Sequence, residues 1–252
     1  MIDIIILAAG KGTRMKTEGP KALVEAKGTP MLGHVLGAIE RSGLISSKPC
    51  VVVGHRGEDV IAFVGDRARH VWQREQKGTG HAVAVVQGAL EASSAEHVVV
   101  LFADQPLISA ESLRKLVAAR ALGPVMPNAA VFSMATVSPE HHDGDFKVFE
   151  RNGRIVRDGN GAVAAIVEYK DASEDIRALR EVNISAYCFD PKWLWRNLSE
   201  IRNANASGEY YLTDLVKIAR NKGEVIAPVI LPTVEGMGAN TPEELLVIER
   251  YL

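Results

Sequence analysis

Two cations, a carboxylate and a glycine loop carry the chemistry legible in this sequence. Leu7-Ala8-Ala9-Gly10-Lys11-Gly12-Thr13-Arg14-Met15 is followed by Gly19-Pro20-Lys21. Residues 8–10 and 12 are small, so the backbone can approach a base or a phosphate and offer its free N–H groups to oxygens. Arg14 and Lys21 would supply charge to a polyphosphate. The loop matches neither the Walker A pattern nor G-x-G-x-x-G, which removes the usual support for an ATPase or a dehydrogenase. Asp104 follows the apolar run 98–101 and then Phe102-Ala103. A carboxylate at a strand's C-terminal end, beside that loop, suits a hard cation such as Mg²⁺, whose remaining ligands come from phosphate and water. Taken alone, Asp104 reads equally as turn initiation before Gln105-Pro106. With Lys21 and Arg14 the constellation suits phosphoryl transfer.

The other conspicuous polar and aromatic groups read as structural. Cys50 and Cys188 lie far apart in apolar runs and read as buried thiols of a reducing compartment. His141-His142-Asp143 with Asp145 lacks spacing to further ligands, and adjacent histidines point apart in most backbones, so a solvated loop is expected. Glu209-Tyr210-Tyr211 and Asp214 fit a helix packed on a sheet, and Trp193 with Trp195 a surface helix. Asn240, ahead of Thr241-Pro242, reads by itself as a turn and helix entry.

The elements that must position these groups alternate in kind. Short apolar runs without polar alternation, Ile2–Leu7, Cys50–Val53, 98–102, 130–136 and 183–189, read as strands covered on both faces. Met31–Ser42 reads as a helix with Leu32, Val35, Leu36 and Ile39 on one face. A second helix follows Gly80 through Ala82, Val83, Val86 and Leu90, and a third spans Ala110–Ala121, capped by Ser109 with Glu111 in its first turn. Repeated β-α-β order implies an α/β, Rossmann-like three-layer fold with a mostly parallel, mixed sheet, and ligands in such sheets bind beyond the strands' carboxyl ends. Residues 146–167, with Asn152-Gly153 and Gly159-Asn160-Gly161, suggest hairpins laid over the sheet's edge, a small β-rich insertion. Thr241-Pro242-Glu243-Glu244 starts a final helix at about 241.

The 252 residues are 47% hydrophobic and 24% charged, which excludes a disordered chain, and 29 Lys+Arg against 31 Asp+Glu leaves no basic excess for nucleic acid. No apolar stretch reaches the ~18–20 residues of a membrane span. The N-terminus lacks the basic start and cleavage site of a signal peptide. The expectation is a cytoplasmic protein that engages small molecules, with neither nucleic acid nor membrane as partner.

The glycine loop with its downstream Pro-Lys resembles the signature of sugar-1-phosphate nucleotidyltransferases. Four further blocks narrow the resemblance to the N-acetylglucosamine-1-phosphate uridyltransferase domain of the bifunctional GlmU family. These are Gln73-Arg74-Glu75-Gln76-Lys77-Gly78-Thr79-Gly80-His81-Ala82, Ile166-Val167-Glu168-Tyr169-Lys170-Asp171-Ala172 with Glu181-Val182-Asn183, and Ala206-Ser207-Gly208-Glu209-Tyr210-Tyr211-Leu212-Thr213-Asp214. The blocks run in order along essentially the whole chain.

That resemblance implies a single nucleotidyltransferase domain over 1–252 and Mg²⁺-dependent uridylyl transfer from UTP to N-acetylglucosamine-1-phosphate. It implies that Leu7, Ala8, Ala9 and Gly10, with Gln73, Gly78 and Thr79, hold the nucleotide. Thr79, Ala103, Gly153, Glu168 and Asn183 would surround the sugar, Arg14 and Lys21 would bind the UTP phosphates as the catalytic cations, and Asp104 and Asn240 would hold the Mg²⁺. Two runs depart from the family. Phe149-Glu150-Arg151-Asn152-Gly153-Arg154 stands where Gly-Tyr-Gly-Arg is usual. Phe102-Ala103-Asp104-Gln105-Pro106 replaces Tyr-Gly-Asp-x-Pro and is similar to nucleotidyltransferases acting on the molybdenum cofactor. No hexapeptide repeats mark the left-handed β-helix acetyltransferase of the bifunctional enzymes. Transfer to another sugar-1-phosphate such as glucose-1-phosphate, transfer to a molybdenum-cofactor-type substrate, and a non-catalytic sugar-nucleotide-binding module are the competing readings.

Overall fold

The computed structural model describes residues 1–44, 47–90, 93–121 and 130–252. Its strands are β1 (Ile2–Leu7), β2 (Glu25–Ala26), β3 (Thr29–Pro30), β4 (Cys50–Val53), β5 (Arg69–Trp72), β6 (His97–Phe102), β7 (Phe132–Val137), β8 (Arg154–Arg157), β9 (Val163–Val167), β10 (Val182–Phe189) and β11 (Ile226–Ile230). The helices are α1 (Met31–Ser42), α2 (Gly57–Val64), α3 (Thr79–Ala84), α4 (Gln87–Leu90), α5 (Ala110–Ala121), α6 (Glu174–Arg177), α7 (Pro191–Asn197), α8 (Asp214–Asn221) and α9 (Pro242–Glu249).

Seven strands lie side by side in the order β11-β7-β10-β6-β1-β4-β5. Pairing is parallel across β6-β1-β4-β5 and between β11 and β7, and β10 alone of the seven runs against its neighbours. The sheet is therefore mixed and mostly parallel. Alternate residues of β1 enter opposite cores, Ile4 and Ile6 on one face and Ile5 and Leu7 on the other. The first core gathers α1, α2, α5 and α9, including Leu32, Val35, Leu36 and Ile39, all buried; the second gathers α3, α7 and α8. Both sheet faces are thus covered, which is why the strands read as unbroken apolar runs.

Local chemistry sets several boundaries. Ser109 Oγ accepts the N–H of Ser112 at the start of α5, and Thr241 Oγ1 accepts that of Glu244 at the start of α9. The helix expected after Gly80 is broken into α3 and α4. Between them Val86 N–H bonds Val83 O, a tighter three-residue turn, while Ala82, Val83, Val86 and Leu90 all stay buried. Of the hairpins expected over 146–167 one forms, β8 with β9, closed where Asp158 Oδ1 accepts the N–H groups of Asn160 and Ala162. The stretch ahead of it is a 3₁₀ turn, Gly144–Phe149. The hairpin joins the main sheet through the pair Arg154 and Val182 on β10. Beside it β10 bulges between Asn183 and Tyr187, with Ser185 at φ 57°. Pro228 sits in the middle of the edge strand β11, where a residue without an N–H is tolerated.

Candidate active site

Beyond the carboxyl ends of β1, β5 and β6 the chain opens into a cavity that is followed by two more in a row, the last of them under the Gly144–Phe149 turn and the start of α9. The first, of about 460 Å³, is lined by Leu7, Ala8, Ala9, Gly10, Lys11, Gly12, Thr13, Lys21, Gln73, Gln76, Gly78, Thr79, Phe102, Ala103, Asp104 and Glu209, among others. The second, of about 210 Å³, takes Arg14, Phe102, Asp104, Gln105, Arg151, Asn152, Gly153, Glu168, Asn183, Ser185, Gly236, Gly238 and Asn240. Phe102 and Asp104 stand between these two. A third cavity, of about 370 Å³, shares Arg14 and Arg151 with the second and no residue with the first.

The first cavity is built by the glycine loop. Ala8 N–H bonds Val52 O, Ala9 O receives His55 N–H, and Ala103 N–H bonds Leu7 O, so the loops after β1, β4 and β6 are tied at their roots. Gly12 turns at φ 59°, and a Cβ there would lie 2.5 Å from the Cβ of Lys21. Only glycine lets the lysine stem pass so close. Across the cavity Gln73 is buried, its Nε2 donating to Gly78 O at 3.1 Å and lying 3.0 Å from His81 Nδ1. Gly78, at φ 105°, would meet Tyr210 O at 2.6 Å if it carried a Cβ. Tyr210 N–H bonds Lys77 O, its carbonyl accepts Gly80 N–H, and Thr79 Oγ1 accepts Leu212 N–H at 3.0 Å. The Glu-Tyr-Tyr-Leu segment thus acts through its backbone, pressing the 77–80 turn into place.

At the junction of the first two cavities lies a charged knot. Lys21 Nζ donates to Asn240 Oδ1 at 2.7 Å and, closer still, to Asp104 Oδ2, with both the lysine and aspartate side chains largely shielded. Asn240 reaches this point from the far end of the chain. Ala239 N–H bonds Asp104 O, and Asn240 N–H bonds the Glu244 carboxylate at 2.6 Å, so the start of α9 fixes its backbone. One carboxylate oxygen and one amide oxygen therefore converge on a single cation position. Two hard oxygens, with room beside them for phosphate and water, form a donor set that fits Mg²⁺.

The second cavity gathers Gly153, Glu168 and Asn183. A Cβ on Gly153 would lie 2.7 Å from Ile166 Cγ2 and 3.4 Å from Glu168 Oε1. Glu168 accepts the Thr213 hydroxyl at 2.9 Å; burial pushes its carboxyl above the usual range, against the lowering effect of that bond and with a further rise from Asp171, Asp214 and Glu209. Asn183 Oδ1 accepts Tyr187 O–H at 3.0 Å and Ser185 N–H at 3.1 Å, which fixes its amide inside the bulge. Gln105 donates to Ile184 O. Gln105 of the Asp-Gln-Pro run thus braces the bulged strand.

Of the residues singled out from sequence, Leu7, Ala8, Ala9, Gly10, Lys21, Gln73, Gly78, Thr79 and Ala103 line the first cavity, and Arg14, Gly153, Glu168, Asn183 and Asn240 the second; Asp104 lines both. Arg14 lies toward the third cavity and Thr79 and Ala103 on the first alone. Sequence reasoning passed over Arg151, Gln76, Ser185 and Glu209 as lining residues; the altered 149–154 run was the one signal for Arg151. His141 pairs with Asp143, His142 Nε2 lies on Leu179 O, and Asp145 binds Arg250 and Tyr251. Among the described residues no group of three or more His, Cys, Asp or Glu is gathered to hold a metal, and no helix is long and apolar enough to cross a membrane. Trp193 packs on Phe132 at 5.5 Å between ring centres.

A mostly parallel sheet whose first strand opens into a glycine loop, with a lysine and a carboxylate meeting at its mouth, is the architecture of a nucleotidyltransferase. The chain belongs to the family of MobA-like NTP transferase domains, whose model matches residues 4–155. It is also similar to proteins named bifunctional protein GlmU. The one from Heliobacterium modesticaldum is 41% identical over 249 residues, 98% of this chain and 51% of that protein. Those from Latilactobacillus sakei and Stutzerimonas stutzeri are 40% and 41% identical over 94% and 99% of this chain, and 48% and 52% of their own length. The chain spans about half the length of the curated relatives it matches.

Proposed function

We propose that this chain is a single catalytic domain that transfers a uridylyl group from UTP to N-acetylglucosamine-1-phosphate, with Mg²⁺, in the cytoplasm. The observation that carries this reading is the Lys21–Asp104–Asn240 knot between a cavity walled by the glycine loop and one walled by Gly153, Glu168 and Asn183. The extended match to proteins named GlmU supports the choice of nucleotide and sugar.

On this reading the base and ribose lie in the first cavity against Leu7, Ala8, Ala9, Gly10, Gln73, Gly78 and Thr79. The acceptor lies in the second against Gly153, Glu168 and Asn183, with Thr79 and Ala103 at its nucleotide-facing side. A phosphate oxygen of the acceptor attacks the α-phosphorus in line, the α–β phosphoanhydride bond breaks, and pyrophosphate leaves. A sugar phosphate with a second pKa near ~6 is already ionised at neutrality, so no general base is required. Asp104 and Asn240 would hold Mg²⁺, which neutralises phosphate charge when bound. Lys21 would then turn its ammonium to the phosphates, and Arg14 adds charge from the wall of the second cavity. Rate acceleration comes from alignment and charge neutralisation of two repelling anions.

The test is pyrophosphate release with Mg²⁺, pairing UTP, CTP, GTP or dTTP with N-acetylglucosamine-1-phosphate or glucose-1-phosphate. Release with UTP and the acetylated sugar alone is expected. Faster release with glucose-1-phosphate would move the substrate, and silence from folded protein would overturn the reading.

A further inference from the structure

The run that departs from the resembled family is tied down along its length. Arg154 is buried, and its guanidinium donates to the carbonyls of Phe149, Glu150 and Asn152 and, through Nε, to that of Arg177 at 3.0 Å. Asn152 Nδ2 donates to Asn183 O at 3.0 Å, and Asn183 N–H returns a bond to Gly153 O at 2.9 Å. Arg151 therefore stands between anchored neighbours. Its own side chain is exposed on the wall shared by the second and third cavities, and among the described residues neither hydrogen bond nor ion pair holds its guanidinium. Arg14, on the same wall, is equally without a partner among them.

The surrounding charges define what such a pair can take. In the second cavity Asp104 is bound by Lys21, and burial biases Glu168 toward its neutral form. In the third, Lys147 is accompanied by Glu150, Glu243 and Glu244, the last engaged by Asn240 N–H. An anion is thus better received on the second-cavity side of the wall. Two planar guanidiniums lining the same wall, one of them on an anchored backbone, match the oxygens of a phosphate.

We propose that Arg151 joins Arg14 as a two-guanidinium clamp on a phosphate group in the second cavity, belonging either to the acceptor or to the departing pyrophosphate. This rests on the nucleotidyl-transfer reading of the site. The test compares wild type with Arg151→Gln by calorimetric titration with inorganic phosphate, pyrophosphate and N-acetylglucosamine-1-phosphate, without nucleotide. Loss of one charge-assisted contact is expected to weaken at least one of the three by about tenfold. Arg151→Lys, which keeps the charge without the planar fork, recovers part of that loss. Weakening confined to the sugar phosphate and inorganic phosphate assigns the clamp to the acceptor; weakening confined to pyrophosphate assigns it to the leaving group. Equal affinities of wild type and Arg151→Gln for all three probes overturn the proposal. These titrations need no turnover, so the clamp and the choice of UTP and sugar fail separately. The exposed position of Arg151 makes an unfolded variant unexpected, and unchanged thermal unfolding confirms that binding alone is read.

Discussion

Replacing Gly12 by alanine is expected to disarm Lys21 without altering the lysine itself. The added Cβ would stand 2.5 Å from Lys21 Cβ, where ordinary contact begins at 3.4 Å, so the lysine stem must retreat by about 0.9 Å. Lys21 Cβ is fixed to its backbone, and the retreat moves the short 3₁₀ turn Lys21–Leu23 that carries it. A displacement of about 1 Å in a group that aligns reacting phosphates costs on the order of 10²-fold in rate. The φ of 59° adds about 1–2 kcal/mol of backbone strain for any residue with a Cβ. Gly28 separates the two effects. It turns at φ 75° with nothing within 4 Å of where a Cβ would stand, so Gly28→Ala carries the strain without the collision. Both variants are assayed for kcat/KM of pyrophosphate release and for unfolding by urea. Both should lose stability through the strain, Gly12→Ala the more because it adds the collision, and loss of activity is expected in Gly12→Ala alone. Near-wild-type turnover of Gly12→Ala, or an equal loss in Gly28→Ala, would refute the account of how the glycine positions the lysine.

Further outcomes follow from the same geometry. Asp104→Ala is expected to lose at least ~10²-fold in activity while remaining folded, and normal turnover in that variant would sink the metal assignment. Burial holds the Glu168 carboxyl above its ordinary pKa, so the folded protein binds that proton more tightly than the unfolded chain. Its stabilising contribution is full below the unfolded value and is lost as pH rises through the folded one. Glu168→Gln should therefore gain stability over wild type at about pH 8 and lose that advantage at about pH 4; a constant difference in urea midpoints between the two conditions speaks against it. Burial pushes the thiols of Cys50 and Cys188 up to about 11 and about 12. Neither should react with a disulfide reagent at about pH 8 until the protein unfolds, and rapid labelling of the native protein would contradict their packing.

Much of the frame was legible because its strongest signals are local. Ile2–Leu7, Cys50–Val53, Met31–Ser42 and Ala110–Ala121 have the bounds read from sequence, since uninterrupted apolar runs and capped periodic stretches write their own limits. The edge strands escaped notice for the converse reason. Arg69 and His70 on β5 are exposed, and β11 contains a proline, so neither shows the pattern of a strand buried on both faces. The charged knot divides in the same way. Lys21 and Asp104 stand at the mouths of readable strands. Asn240 by itself looked like a helix entry, and it is one. What brings its amide to Lys21 is a bond between Ala239 and Asp104 across more than a hundred residues, which no spacing rule encodes. The third cavity and the role of Arg154 as a frame depend likewise on how carbonyls from separate segments meet.

Pro228 also bears on what the molecule avoids. Among the described residues the sheet ends at β11 on one side and β5 on the other, and each end is a potential template for a foreign strand. Ile230, 67% exposed, would make the β11 side adhesive. A proline at the centre of that five-residue strand interrupts the row of amide donors a newcomer would need, while β5 answers the same hazard with the charge of Arg69. The two borders are blunted by different chemistry, one by a missing amide donor within its ladder and the other by charge beside an intact one.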